Sequence, residues 1–164
     1  MISRLVKADF ASILNVVNEA AIAYKDKIPS DRWKVPYMNA AELEDVIQNG
    51  VQFYGIKQQN DLLAVMGIQF VKDVTLVRHA YVLTSHQRKG HGEMLLAFLL
   101  SLVKTSKVYV GTWGAADWAI RFYEKHGFKL VSVEEKNKLL KKYWSIPERQ
   151  IETSVVLELK RQLP

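Results

Sequence analysis

The stretch LTSHQRKGHGEMLL, Leu83–Leu96, joins two segments of different periodicity. The apolar, β-branched VTLVRHAYVL that leads into it predicts a strand, and EMLLAFLLSLVK has the apolar spacing of a helix. Gly90 and Gly92 therefore stand at a strand-to-helix junction, where glycine lets a ligand approach the backbone closely. The first N–H groups of a helix lack intrahelical acceptors and carry partial positive charge, so the junction is a candidate anion site.

Arg88 and Lys89 add two full positive charges to this junction, and a pyrophosphate would suit it. Two familiar phosphate loops do not match. The Walker A pattern ends in Gly-Lys-Ser/Thr, which is absent, and the dinucleotide fingerprint needs a further glycine where Leu95 stands. A glycine pair is also compatible with an ordinary turn, so these residues alone leave both interpretations open.

The composition predicts one soluble globular domain covering residues 1–164, because 49% of residues are hydrophobic and 24% are charged. The absence of cysteine excludes a disulfide framework, a thiol nucleophile and a cysteine metal site, and suits a cytoplasmic location. No signal-peptide region or membrane-spanning stretch is recognisable. The net charge of +6 favours a nucleic acid, an anionic membrane or a phosphorylated cofactor, although many soluble proteins are mildly basic without such a partner.

The remaining patterns alternate between strands and helices. Two N-terminal helices are predicted with Asp9 and Asn39 as N-caps, the second with a capping box to Glu42. VQFYGIK, LLAVMGIQFV, KVYVGTW, KLVSVEE and QIETSVVLELK are predicted strands, and KNKLLKKYW is a short basic helix. DWAIRFYEKHGF is a helix with Asp117 as N-cap and Gly127 as its end. This order predicts an α/β or α+β domain with a mixed sheet and helices on both faces.

Two motifs together resemble the GNAT superfamily of acyl-CoA-dependent N-acyltransferases. Its signature, Gln/Arg-x-x-Gly-x-Gly/Ala between the fourth strand and third helix, is similar to QRKGHG after AYVLTSH. The later helix of the family carries Phe/Leu-Tyr followed by Gly-Phe, and IRFYEKHGFKLV is similar to it. The resemblance implies a GNAT-like fold with a mostly antiparallel central sheet and helices on both faces. It also implies acetyl-CoA as co-substrate, without a metal.

The resemblance assigns roles to several residues. Backbone amides of Arg88 through Gly92 would hold the CoA pyrophosphate, and Tyr81 to Leu83 would pair with the pantetheine arm. Tyr123 would protonate the leaving thiolate as a general acid, with a core aromatic as the alternative, and the Val82 amide would hold the oxyanion. Many relatives have Asn where this chain has Ala116, so that contact is not carried over. The predicted cofactor-binding residues are Tyr81, Val82, Leu83, Gln87, Arg88, Lys89, Gly90, His91, Gly92 and Lys125.

The sequence indicates less clearly which residues deprotonate and bind the acceptor amine. An amine of pKa ~10.4 must lose a proton before attack. No Glu lies between Val51 and Arg88, so His79 is the best candidate base on chemical grounds, with an ordinary strand histidine, water or backbone carbonyls as alternatives. Trp113 and Tyr24 are predicted to lie near the acceptor amine, although such aromatics could equally fill the core. Lys125 could reach the nucleotide phosphates or remain solvated.

The predicted function is an N-acetyltransferase that transfers an acetyl group from acetyl-CoA to a primary amine by direct attack. The expected partner is an amine acceptor, either a small molecule or a peptide or protein, and a homodimer is the family-based expectation. Neither a nucleic acid nor a membrane is expected. The alternatives are a non-catalytic acyl-CoA-binding protein of the same fold and a basic nucleic-acid-binding protein. For the second alternative, the sequence contains no recognisable DNA-reading helix or RNA-binding motif.

Overall fold

A computed structural model describes residues 1–162 and contains a seven-stranded, mostly antiparallel sheet with helices, as the sequence predicted. The strands are β1 Ile2–Arg4, β2 Gln52–Gln58, β3 Asp61–Val71, β4 Val74–Val82, β5 Lys107–Trp113, β6 Lys129–Leu130 and β7 Ser154–Lys160. The helices are α1 Phe10–Ala21, α2 Ala40–Gln48, α3 His91–Leu102, α4 Asp117–Lys125, α5 Val133–Tyr143 and α6 Glu148–Thr153. None of these described helices is long and apolar enough to cross a membrane.

The chain divides into two compact units. The first contains residues 1–23, 34–69 and 77–103. Its strands follow the order β1-β2-β3-β4, and β2 pairs antiparallel with both β1 and β3. Eight consecutive residues of β3 are buried, because the strand is apolar on both faces. A core cluster that includes two residues of β3 is formed by Leu5, Ile13, Val16, Val17, Met38, Leu43, Val51, Phe53, Leu62 and Val65.

Capping of the first two helices differs. Asn39 caps α2 as predicted, because its side-chain oxygen accepts the Glu42 N–H at 2.8 Å. Asp9 is the N-cap residue of α1, as predicted, but its side chain makes no capping hydrogen bond to that helix. Its carboxylate instead accepts the Val6 N–H at 2.8 Å and the Lys57 ammonium at 2.6 Å. Asp9 therefore closes the preceding 3₁₀ turn and anchors it to β2.

The second unit contains residues 24–33, 70–76 and the chain from 104 onward. Here β7 pairs antiparallel with β5, from Lys107 opposite Lys160 to Trp113 opposite Ser154, and also with β6. The buried Lys136 ammonium donates to the Ile151 carbonyl oxygen at 2.7 Å, which satisfies a polar group inside this unit. The core cluster here comprises Val74, Leu76, Tyr109, Leu139, Leu140, Tyr143, Ile151 and Val156.

Three boundaries in the second unit differ from the sequence predictions. The N-cap of α4 is Ala116, and Asp117 is the first helical residue. The strand predicted at KLVSVEE ends at Leu130, because Ser132 caps α5 by accepting the Glu135 N–H at 3.1 Å. This local capping signal outweighs the β-branched valines on either side of it. The start of the last predicted strand belongs to α6, which the sequence analysis did not predict.

The two units differ in charge. The first has 7 Lys and Arg against 7 Asp and Glu, and the second has 16 against 10. The whole net charge of +6 therefore belongs to the second unit. The QRKGHG loop lies in the first unit, whose own charges balance, and carries Arg88 and Lys89 as its local cations.

Candidate active site

The loop between β4 and α3 exposes consecutive backbone donors. Gly90 is the N-cap of α3 and has the left-handed φ of 84° that favours glycine. The helix begins with the Met94 N–H donating to the Gly90 carbonyl oxygen at 3.0 Å. Among the described residues, the N–H groups of Gly90, His91 and Gly92 have no acceptor. A Cβ placed on Gly90 would meet no atom within 4 Å, so the left-handed φ, and not crowding, is what favours glycine at this position.

The side chains of the loop add charge and connect it to β4. Arg88 and Lys89 are exposed, and Arg88 also has a left-handed φ of 61°. The Gln87 side-chain amide donates to the Val82 carbonyl oxygen at 3.2 Å. The ring of His91 lies 6.3 Å from that of His86, between centroids. Partial burial, and then the nearby His86 and Lys89, hold the pKa of His91 below its usual range.

The end of β4 is held by two further hydrogen bonds. The Leu83 N–H donates to the Leu63 carbonyl oxygen at 2.9 Å. The next N–H, that of Thr84, lies 3.0 and 3.3 Å from the two carboxylate oxygens of Glu19. Tyr81, Val82 and Leu83 are all half-buried, so the predicted pantetheine segment is partly accessible. Glu19 is a residue that the sequence analysis missed.

His79 is the only strand residue of β4 with a left-handed backbone, at φ 54°. Such a conformation within a strand is typical of a β-bulge and is found often at functional sites. The Nε2 atom of His79 is buried and has no hydrogen-bond partner among the described residues. Burial, and then the Arg78 charge, lower its pKa to about 3. An imidazole of this pKa is a poor proton acceptor, which counts against the predicted role as general base.

In the second unit, Tyr123 lies on α4 and is 5% exposed. Phe122 and Phe128 pack edge-on against its ring, with centroids 5.1 and 5.6 Å away. Burial, and then the neighbouring Tyr24, raise the pKa of Tyr123 well above its usual value. No hydrogen bond of its hydroxyl is found within residues 1–162, and this oxygen does not belong to the fully buried unpartnered atoms of those residues. Tyr123 therefore holds a neutral O–H with its bonding capacity unused.

The other predicted residues of the second unit have different surroundings. Trp113 is 8% exposed, so most of its ring belongs to the core. The half-buried Tyr24 packs on Trp118, with ring centroids 5.0 Å apart. Trp118 was not singled out from the sequence, although it is 39% exposed on the helix that carries Tyr123. Ala116 is fully buried and offers no polar side chain.

The second unit also contains a cavity of about 350 Å³ that involves none of the predicted site residues. Its lining carries charges of both signs, including Asp73, Lys107, Glu135 and Lys142. Across the residues that the structure describes, no group of three or more His, Asp or Glu side chains could hold a metal ion.

Comparisons with solved structures identify the fold. The PaiA N-acetyltransferase of Thermoplasma acidophilum, solved in complex with coenzyme A, has a TM-score of 0.73 and 14% identity over 98% of both chains. The ribosomal-protein-S18-alanine N-acetyltransferase of Escherichia coli has a TM-score of 0.67 and 18% identity over 98% of this chain and 92% of its own. The ribosomal-protein-alanine N-acetyltransferase of Brucella melitensis has a TM-score of 0.69 and 14% identity over 98% and 99%.

These identities are low, so the structural likeness establishes the fold and not the acceptor. A search of curated proteins found no significant match. The family model described as the acetyltransferase (GNAT) domain matches residues 14–141, which include both motifs and every predicted site residue. The chain therefore belongs to the GNAT acetyltransferase family and is an acyltransferase.

Proposed function

We propose that this protein transfers an acetyl group from acetyl-CoA to a primary amine by direct attack. The main support for the proposal is the row of unpartnered N–H groups at Gly90, His91 and Gly92. They lie at the N-terminus of α3, where the N-cap Gly90 has a left-handed backbone. Helix N-termini of this kind bind phosphate groups through oriented donors and partial positive charge.

In this proposal the first unit binds the cofactor. The loop amides and the Arg88 and Lys89 side chains hold the pyrophosphate, and Tyr81 to Leu83 pair with the pantetheine arm. The Val82 N–H polarises the acetyl carbonyl. Acetyl-CoA supplies the acetyl group in activated form, as a thioester, and no metal is required for the transfer. The proposed cofactor contact of Lys125 stays a prediction.

Tyr123 acts as the general acid in this proposal. Its raised pKa keeps the phenol protonated at neutral pH, and its hydroxyl has no competing acceptor among the described residues. A phenol in this state can give its proton to the departing sulfur. His79 stays a prediction of the sequence, and its low pKa disfavours it as the base. Deprotonation of the amine in solvent is then the simplest route to the nucleophile.

The acceptor is a small molecule or a peptide or protein amine, and Trp113 and Tyr24 are proposed to lie near it. The ribosomal-protein N-acetyltransferases among the structural neighbours agree with a protein acceptor without requiring one. A cytoplasmic location, a homodimer, and the absence of nucleic-acid or membrane partners belong to the same proposal.

A thiol-release assay tests the proposal. Purified protein is mixed with acetyl-CoA and a panel of amines, peptides and protein extracts, and free CoA thiol is followed over time. Calorimetry with acetyl-CoA and CoA is run in parallel. We expect measurable affinity for both and amine-dependent thiol release. Failure to bind acetyl-CoA, or binding without release for any amine, would contradict the assigned reaction.

A further inference from the structure

Arg78, on β4 in the first unit, is a partly buried cation without a counter-ion. The residue is half-buried, and no Asp or Glu among the described residues forms an ion pair with it. Burial lowers the pKa of the guanidinium, and within residues 1–162 only the interaction with Tyr81 acts in the opposite direction. The fold therefore withdraws a positive charge from water without supplying a carboxylate to offset the cost.

Two other polar side chains of the first unit show how such groups are normally paired. The Lys57 ammonium lies 2.6 Å from an Asp9 carboxylate oxygen. The Asn18 side-chain amide donates to the Met38 carbonyl oxygen and accepts the Met38 N–H, both at 2.8 Å. Arg78 differs from both, because a guanidinium has several N–H donors and only the Nη1 atom makes a hydrogen bond within the part of the chain that the structure describes.

The hydrogen bond of Nη1 fixes the position of the Arg78 side chain. Nη1 donates to the Gln69 Oε1 atom at 3.2 Å, and the amide nitrogen of Gln69 donates to the Asn49 carbonyl oxygen at 2.8 Å. Gln69 is buried, so its orientation is set by these two contacts. The backbone is also closely packed, because a Cβ on Gly67 would lie 2.9 Å from the Arg78 carbonyl oxygen. The guanidinium is therefore held in place before any ligand arrives.

The remaining donors of Arg78 are accessible, since none of its nitrogens belongs to the fully buried unpartnered atoms of residues 1–162. The next residue is His79, whose left-handed backbone is a distortion of the kind found often at functional sites. A planar guanidinium binds the two oxygens of a carboxylate through two parallel hydrogen bonds. No second cation among the described residues affects the pKa of Arg78, so one negative charge suits the position better than a doubly charged phosphate.

We propose that Arg78 is the anchor of a carboxylate-binding site in the first unit, with Gln69 and Asn49 as its support. The ligand is a small carboxylic acid, such as an amino acid, or the carboxylate end of an acyl group carried by CoA. The site uses other residues than the N–H groups of Gly90 to Gly92. The inference therefore goes beyond the proposed function and does not depend on it.

The test compares pairs of ligands in which a neutral group replaces the carboxylate, at constant ionic strength. Acetate is compared with acetamide, alanine with alaninamide, and succinyl-CoA with butyryl-CoA, which has the same number of acyl carbons. We expect wild-type protein to bind the carboxylate of at least one pair about tenfold or more tightly by calorimetry, since hydrogen bonds between charged groups are the strong ones. The pair that shows the preference identifies the source of the carboxylate.

Two variants locate the preference at the guanidinium. Arg78→Met removes the charge, so the preference should disappear and the carboxylate should no longer raise the melting temperature. Arg78→Lys keeps the charge and a donor for Gln69, so it should fold like the wild type, but it should bind the carboxylate several-fold more weakly because an ammonium lacks the planar pair of donors. The control is Arg4→Met, at an exposed position on β1, which should keep the full preference.

The ¹H–¹⁵N signal of the Arg78 Nε–H group gives a readout without turnover, and it should shift with the preferred carboxylate. The inference is overturned if no pair shows a preference, or if either Arg78 variant retains it in full. It is also overturned if chloride or sulfate shifts the signal as strongly as the carboxylate, because Arg78 would then attract any anion. If these results hold and no acyl transfer is detected, the carboxylate site stands and only the proposed function fails.

Discussion

The side-chain amide of Gln87 donates to the carbonyl oxygen of Val82, across the turn that connects β4 to the QRKGHG loop. This hydrogen bond joins the first residue of the QRKGHG motif to the strand end proposed to hold pantetheine. Gln87 therefore fixes the loop relative to the strand within the first unit.

Removing this connection should weaken cofactor binding. Gln87→Ala deletes one exposed hydrogen bond, worth about 0.5–1.5 kcal/mol, so we expect CoA to bind roughly two- to tenfold more weakly by calorimetry. The melting temperature should barely change, because Gln87 is exposed. Gln48→Ala, at an exposed position on α2, is the control and should leave CoA affinity unaltered. Equal affinities for the two variants would mean that the hydrogen bond does not organise the loop.

A negative charge at the helix N-terminus should abolish cofactor binding without unfolding the protein. Gly92 is the second residue of α3, where an aspartate is favourable for a helix by about 0.3–1 kcal/mol. Gly92→Asp should therefore keep its melting temperature. It should lose CoA affinity by about a hundredfold or more, because a like charge would oppose the pyrophosphate. Ala97→Asp adds the same charge farther along α3 and should retain binding. If Gly92→Asp still binds CoA, the loop is not the pyrophosphate site.

Removing the Tyr123 hydroxyl should lower the rate of acetyl transfer without changing CoA affinity. We expect Tyr123→Phe to lower kcat by about 10²–10⁴, the usual contribution of a general acid, and to leave CoA affinity unchanged. The control is Tyr109→Phe, because Tyr109 is also buried in the second unit but its hydroxyl is hydrogen-bonded to Glu158. That variant should lose about 1 kcal/mol of stability and keep its turnover. Wild-type kcat in Tyr123→Phe would exclude the acid role.

The raised pKa of Tyr123 also predicts the shape of the pH–rate profile. The phenol stays protonated at least up to its ordinary pKa of 10.0, so Tyr123 should cause no loss of kcat below that pH. The rate should rise with pH as the acceptor amine loses its proton. A decline that begins near neutral pH and disappears in Tyr123→Phe would contradict this assignment.

His79 should make the protein less stable in mild acid. Its pKa is about 3 in the folded protein against 6.5 in the unfolded chain, so between these values the unfolded state binds more protons. The free energy of unfolding should therefore fall as pH decreases through this window, by about 2 kcal/mol between pH 6.5 and pH 5. His79→Asn suits the comparison because asparagine tolerates a left-handed backbone. Denaturant unfolding at both pH values should show a smaller loss for this variant, and an equal loss would refute the assignment.

The sequence predicted the loop and the fold because their signals are local. Gly90 stands where the backbone is left-handed, and a strand pattern changes to a helix pattern within a few residues of it. The same kind of reasoning failed at KLVSVEE, which was predicted as a strand because of its β-branched valines. Ser132 there caps α5 by accepting the Glu135 N–H. A short capping signal competes there with a strand propensity of similar strength.

The remaining features depend on long-range contacts. Glu19 meets Thr84, 65 residues later in the chain, and no local pattern encodes that pairing. The only local hint is the acidic residue at the wrong end of α1. His79 was predicted as the general base because an imidazole titrates near neutral pH. Its burial and left-handed backbone follow from the packing around β4 and not from its neighbours in sequence.

The two hydrogen bonds between Asn18 and Met38 have a consequence for the ageing of the protein. In these bonds a side-chain amide takes the place of a peptide group, since it offers one donor and one acceptor to the same residue. Hydrolysis of that amide would leave a carboxylate that still accepts the Met38 N–H but repels the Met38 carbonyl oxygen, so one of the two hydrogen bonds would be lost. Deamidation of this one asparagine would therefore weaken the attachment of the segment that carries Tyr37 to the end of α1.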